Sequence, residues 1–166
     1  MKKFRLATKI VIVILISFNR MQAQTIQTKL NQVELMMQFV GSWTCDIAKD
    51  TTFFWEVRSY GTGLEGNFRY VTKGKTIEEG IQLLGYDKKT DKCIDAELKK
   101  GKEIKIFAIW FISKNKCEIV LYRDVSNPEK ASFREELEFK KPDIFLETII
   151  VDNKPVKTYT FAKVKE

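Results

Sequence analysis

The 166-residue sequence contains no histidine. Histidine is the side chain whose ordinary pKa lies near neutrality, so its absence removes the usual proton shuttle, His-based catalytic triads and most zinc sites. Any catalysis has to rest on carboxylates, tyrosines or a thiol. Cysteine is almost as scarce: Cys45, Cys93 and Cys117 stand far apart, with no Cys-x-x-Cys spacing. At most one intramolecular disulfide can form, so the domain is held by its core and is not a disulfide scaffold. A glycine-rich phosphate loop is missing too, because Gly61, Gly63 and Gly66 lie between two strand-like runs and read as a hairpin.

The apolar run Ile10–Phe18 is nine residues long and interrupted by Ser17, about half of the roughly 17 to 25 residues a helix needs to span hydrocarbon. Lys2, Lys3, Arg5 and Lys9 precede it, and a polar stretch containing Ala23 comes after it. A basic head, a short apolar centre and a small residue at the exit predict a secretory signal over residues 1–23. The expectation is a secreted or periplasmic protein with no stable membrane insertion after cleavage. No cysteine precedes Cys45, which excludes a lipid-modified cysteine directly behind the signal.

Net charge is also scarcer than it looks. The chain carries 29 Lys+Arg against 22 Asp+Glu, but residues 1–23 hold five of the basic residues and none of the acidic ones. Residues 24–166 are therefore close to neutral, which removes the case for a nucleic-acid partner, since phosphate binding needs concentrated basic charge.

Residues 24–40 read as a short linker and an amphipathic helix: Leu30, Val33, Met37 and Val40 recur at helical spacing between Thr28 and Gly41, with Leu35 and Met36 widening the stripe. From residue 41 to 166 the period changes to two. Strand-like runs cover 42–47, 53–58, 66–72, 76–85, 93–99, 103–112, 117–125, 131–140, 144–151 and 156–164. Short turn-forming clusters such as Lys73-Gly74-Lys75 and Ser126-Asn127-Pro128 separate them and favour antiparallel hairpins. The fold class is therefore all-β: an up-and-down antiparallel barrel of about ten strands behind a short N-terminal helix, because a meander this long tends to close. Two packed sheets are the competing architecture.

The segment Phe39-Val40-Gly41-Ser42-Trp43, a helix running into Gly-x-Trp at the first strand, resembles the opening motif of lipocalins and the wider calycin superfamily. Gly80–Asp87, ahead of a lysine-rich turn, resembles small secreted bacterial lipocalin-like domains of unassigned function. The resemblance implies that Trp43 plugs the closed end of a ligand-holding barrel. Two departures stand out. The arginine that lipocalins stack on that tryptophan is missing from residues 156–166, which offer Lys157, Lys163 and Lys165 instead. The histidine by which ten-stranded haem-binding relatives hold their cofactor is missing altogether.

Within the strands, Arg123 shares a face with Ile119 and Leu121, and Glu135 shares one with Phe133, Leu137 and Phe139. Pairing across the Asn127-Pro128 turn would set Arg123 opposite Phe133 and diagonal to Glu135, either as a structural ion pair or as an anchor for an anionic head group. Trp55, Phe68, Tyr70 and Trp110 can turn inward as cavity walls, or simply fill the core. Glu78 and Glu79 are adjacent, point to opposite faces and read as solvated charges, while Cys45 reads as a buried, inert thiol. The run 103–112 is apolar on both faces at its centre, so the helix or a second subunit in a homodimer should cover its outer side. Together these features point to a barrel that binds a small apolar or amphipathic molecule non-covalently, without metal or cofactor. The rival readings are a cofactor-free isomerase or cyclase working in the same cavity, and a non-enzymatic envelope interaction module.

Overall fold

The computed structural model describes residues 29–165; the expected signal, residues 1–23, lies outside them. Helix α1 (Gln32–Met36) is capped by Asn31, whose side chain accepts the Glu34 N–H at 3.2 Å, and it tightens into a 3-10 turn over Met37–Phe39. The helix is shorter than the Thr28–Gly41 stripe predicts, and it is rotated. Its innermost residues are Gln32, Met36 and Phe39, not Leu30, Val33, Met37 and Val40. The reason lies at Phe111. Gln32 accepts the Phe111 N–H at 2.7 Å and donates to the Phe111 carbonyl at 3.1 Å, so a polar side chain is drawn inward to satisfy buried backbone.

Ten strands come after the helix: β1 (Gly41–Ala48), β2 (Thr51–Tyr60), β3 (Gly63–Thr72), β4 (Lys75–Asp87), β5 (Lys92–Lys99), β6 (Lys105–Phe111), β7 (Lys116–Leu121), β8 (Phe133–Lys141), β9 (Ile144–Val151) and β10 (Lys154–Lys163). Each pairs antiparallel with its sequence neighbour, and β10 pairs with β1 to close the barrel, which decides against two packed sheets. A closed ten-strand barrel with a helix at one end is consistent with a calycin-like fold. Among the described residues no helix is long and apolar enough to cross a membrane.

The helix plugs one end. Met36 and Phe39 pack with Trp43, Cys93, Phe111, Cys117, Phe139, Phe145 and Phe161 in a single buried cluster. Trp43 is 1% exposed and donates its indole N–H to the Phe39 carbonyl at 2.7 Å, tying the plug to β1. The missing arginine has a substitute, because the Lys163 ammonium lies 5.1 Å from the Trp43 ring centre. Gly41 makes this geometry available: its φ is +133°, and the Lys163 stem occupies the place where a Cβ would sit.

The chain departs from the sequence expectation after β7. Alternation extends the strand to Val125, whereas the strand stops at Leu121 and the chain turns through 3-10 segments at Tyr122–Asp124 and Pro128–Lys130. Val125 and Ala131, in and just after this connection, pack with Ala108 and Val120 on the outer face of β6 and β7. The apolar outer side of β6 is thus covered by the β7–β8 connection, while the helix sits at the barrel's end. Farther round, Ile81, Leu83, Leu98 and Ile106 remain exposed on the outside of β4–β6.

Candidate functional site

Alternation sends Phe53 and Trp55 of β2, Phe68 and Tyr70 of β3, Gln82 and Leu84 of β4, and Phe107 and Ile109 of β6 to the barrel interior. Their side chains do not meet in the middle. They line a cavity of about 980 Å³ above the helix plug, large enough for a small molecule. Gly80 lets one wall pack flat, since the ring of Phe68, its partner across the ladder, lies where a side chain at that position would stand.

Four carboxyl groups also face this space: Asp95 and Glu97 from β5, Glu135 from β8 and Glu147 from β9. Asp95 is 4% exposed; one of its oxygens accepts from the Gln82 amide at 3.0 Å, and Oδ1 is buried with no partner. Burial first, then the nearby Glu97, pushes its pKa up to about 8. The Gln82 amide also reaches Glu97 at 3.4 Å, and burial raises the Glu97 carboxyl even though Lys99 and Lys105 pull it back. Leu137 stands opposite Glu147 and Ile149 opposite Glu135, so the two glutamates are diagonal neighbours with their side chains on the same inner face. They are hydrogen-bonded to each other, and burial together with their mutual repulsion raises Glu135 well above the usual carboxylate range. Glu147 is raised as well, chiefly by burial. Both carboxyls are thus pushed toward the protonated form, and they titrate as a pair. Burial, reinforced by the surrounding carboxylates, keeps the Tyr70 phenol protonated as a donor.

The cations on the lining stand nearer the mouth. Lys99 and Lys105 are at the open ends of β5 and β6, and Arg123 lies just beyond β7. Lys99 is already engaged with Glu78 at 2.8 Å, its ammonium 5.2 Å from the Tyr70 ring centre.

The structure brings Trp55, Phe68, Tyr70 and Glu135 to the cavity wall, and Trp43 to the packed cluster beneath it. Trp55 also presents an indole N–H that is buried without a partner. Arg123 reaches the rim but not the expected place. It lies in the 3-10 turn with its side chain 75% exposed and its Nε 3.7 Å from Asp124, and the register sets Ile119, not Arg123, nearest Glu135. An internal Arg123–Glu135 pair does not form, because the long β7–β8 connection leaves the sheet before Arg123 and no tight turn joins the strands. Trp110 faces outward, beside Ala108 and Val120 and under the Lys92 ammonium at 3.6 Å. Both faces of β6 are apolar, so alternation alone did not say which one points in. Glu79 pairs with Lys100 on the surface, and Glu78 pairs with Lys99, half-buried near the cavity mouth. Cys45, Cys93 and Cys117 are buried free thiols, the first two pushed up to about 11 by burial.

Sequence reasoning missed Asp95, Glu97 and Glu147. The available signal was the run Cys93, Asp95, Glu97 at i, i+2 and i+4, which puts two acids on the same face as a cysteine destined for the core. No protein-family model matches the chain, and no curated protein matches it either.

Proposed function

We propose that the barrel binds a small amphipathic molecule by enclosure, non-covalently, as a lipocalin-like exported protein acting outside the cytoplasm. The observation that carries this reading is the unfilled interior. A domain of this size packs its core closely when nothing is to be held there, and here aromatic side chains instead wall a cavity of about 980 Å³ with a few polar groups converging on it. The export half of the proposal rests on the basic head and the nine-residue apolar run near the N-terminus. Native mass spectrometry of protein purified from its own host tests the binding half. Recovery of a co-purifying small mass, released on unfolding, is the expected result. Repeated recovery of the bare chain, with no change in tryptophan fluorescence across a panel of lipids, amines and haem, would refute it.

One observation favours a second reading, acid–base catalysis without a cofactor. Glu135 and Glu147 are buried diagonal neighbours whose carboxyls are both raised, with Tyr70 lining the same cavity, and paired groups of this kind can donate and accept protons. Incubating the host's small-molecule extract with wild-type protein and with Glu147→Gln separates the two. An enzyme changes the chromatographic retention or the mass of a compound that the variant leaves intact; a binding protein leaves every compound at its starting retention and mass.

A further inference from the structure

We propose that the polar end of the ligand is a protonated amine, received by Asp95 and the Glu135–Glu147 pair, with its apolar body against Phe53, Trp55 and Phe107. This rests on the enclosure reading and specifies what is enclosed.

The sign of the charge and its depth carry the inference. Among the described residues, every charged group in the cavity's middle is an acid, whereas the cations that line it are at the open ends of their strands or in the turn beyond β7. Two of those cations are also occupied or solvated: Lys99 bonds Glu78, and the Arg123 side chain is 75% exposed beside Asp124. An anionic head group entering the depth would meet Asp95, Glu135 and Glu147 with no lining cation beside them, Lys99 and Lys105 standing by Glu97 nearer the mouth, so it is excluded by repulsion and desolvation. A neutral hydroxyl could bond a carboxyl oxygen but would leave the buried charge uncompensated.

Independently of the clustering, Asp95 Oδ1 has no hydrogen-bond partner although the residue is 4% exposed. A buried acceptor without a donor is destabilising by about 1–3 kcal/mol, and native structures rarely keep one without a use. An ammonium supplies up to three donors and a positive charge, which suits an orphaned carboxyl oxygen and a neighbouring pair of buried carboxyls. A metal ion fits less well, because among the described residues no three acidic or sulfur ligands gather as a metal site would require. The aromatic faces toward the mouth tolerate a cation in passing, as the Lys99 ammonium shows at 5.2 Å from Tyr70 and 5.8 Å from Phe68.

Isothermal titration at pH 7.5 with decylamine, 1-decanol and decanoate, matched in chain and differing in head group, tests this on the wild-type chain. Decylamine is expected to bind at least tenfold more tightly than decanol, with decanoate weakest. Asp95→Asn, and separately the double variant Glu135→Gln/Glu147→Gln, should each bring the decylamine-to-decanol affinity ratio down to within about threefold, with an unchanged near-ultraviolet circular dichroism spectrum certifying a folded barrel. Decanol binding as tightly as decylamine, decanoate binding most tightly, or an amine preference that survives both variants overturns the amine assignment and leaves enclosure standing. Failure of all three probes to bind overturns the enclosure reading and this assignment with it.

Discussion

At the closed end, Lys163 and Gly41 explain why a glycine two residues before Trp43 matters physically. The lysine stem crosses the space a Cβ would occupy, its ammonium rests on the indole, and the glycine holds a φ of +133° that L side chains rarely adopt. Gly41→Ala therefore meets two penalties, backbone strain and displacement of Lys163, and should destabilise the fold by roughly 1–3 kcal/mol in urea unfolding. In a Lys163→Ala background the steric part disappears and the Gly41→Ala penalty should shrink by a measurable fraction. Equal penalties in both backgrounds would show that the close approach contributes nothing. Single residues also mark where the sequence was hard to read. Asp95 sits on a strand whose outer face, Ile94, Ala96 and Leu98, is the more apolar one, and Glu147 on a strand apolar on both faces. A charge at such a position ordinarily belongs outside, and only a barrel wide enough to remain unfilled can keep it inside.

At the scale of elements, α1 is five residues long and has too few internal hydrogen bonds to persist alone; its place is set by tertiary partners. Gln32 supplies the most directed of them, closing both free backbone groups of Phe111. Gln32→Leu keeps the volume but strands a buried N–H and a buried carbonyl, so a loss of about 2–4 kcal/mol is expected in urea unfolding. A loss below about 0.5 kcal/mol would mean that water replaces the amide and the plug is not pinned there. The strands themselves were legible because their period of two survives along nearly every run and their turns carry the residues turns require, as at Gly74, whose φ is +77°. The end of β7 was not legible. Tyr122-Arg123-Asp124 continues the alternation, and what breaks it is the need to cover Ala108 and Val120 outside the barrel, a demand made by another strand. The helix erred for a related reason: an amphipathic count assigns apolar residues to the inner face and has no place for a glutamine that serves a distant backbone.

For the whole molecule, the buried acids set how stability varies with pH. Asp95 titrates near 3.8 when unfolded and at about 8 when folded. The folded chain therefore keeps a proton that the unfolded chain releases, and the stability linked to it is present in full below about pH 4 and is lost as pH rises toward 8. Its slope reaches up to about 1.4 kcal/mol per pH unit. Glu97, Glu135 and Glu147 are raised as well and act in the same direction. Lys99 and Lys105 moderate Glu97, and Gln82 moderates Asp95. On the surface the opposite holds: Asp87 and Asp91 are lowered by hydrogen bonds to Thr90 and Tyr86, so their contribution fades only as pH falls through the acid range. The two trends cross, and unfolding free energy measured in urea from about pH 3 to 9 should peak at about pH 4–5 and decline on the alkaline side. Asp95→Asn should match wild type near pH 4 and exceed it by about pH 8, where the wild-type carboxylate is ionised in a site built for its neutral form. A wild-type chain as stable at about pH 8 as at about pH 5 would mean that the interior is wetter than its geometry implies, with water already compensating the acids. A cationic ligand would flatten the same decline, because it stabilises the ionised acids that otherwise destabilise the empty barrel.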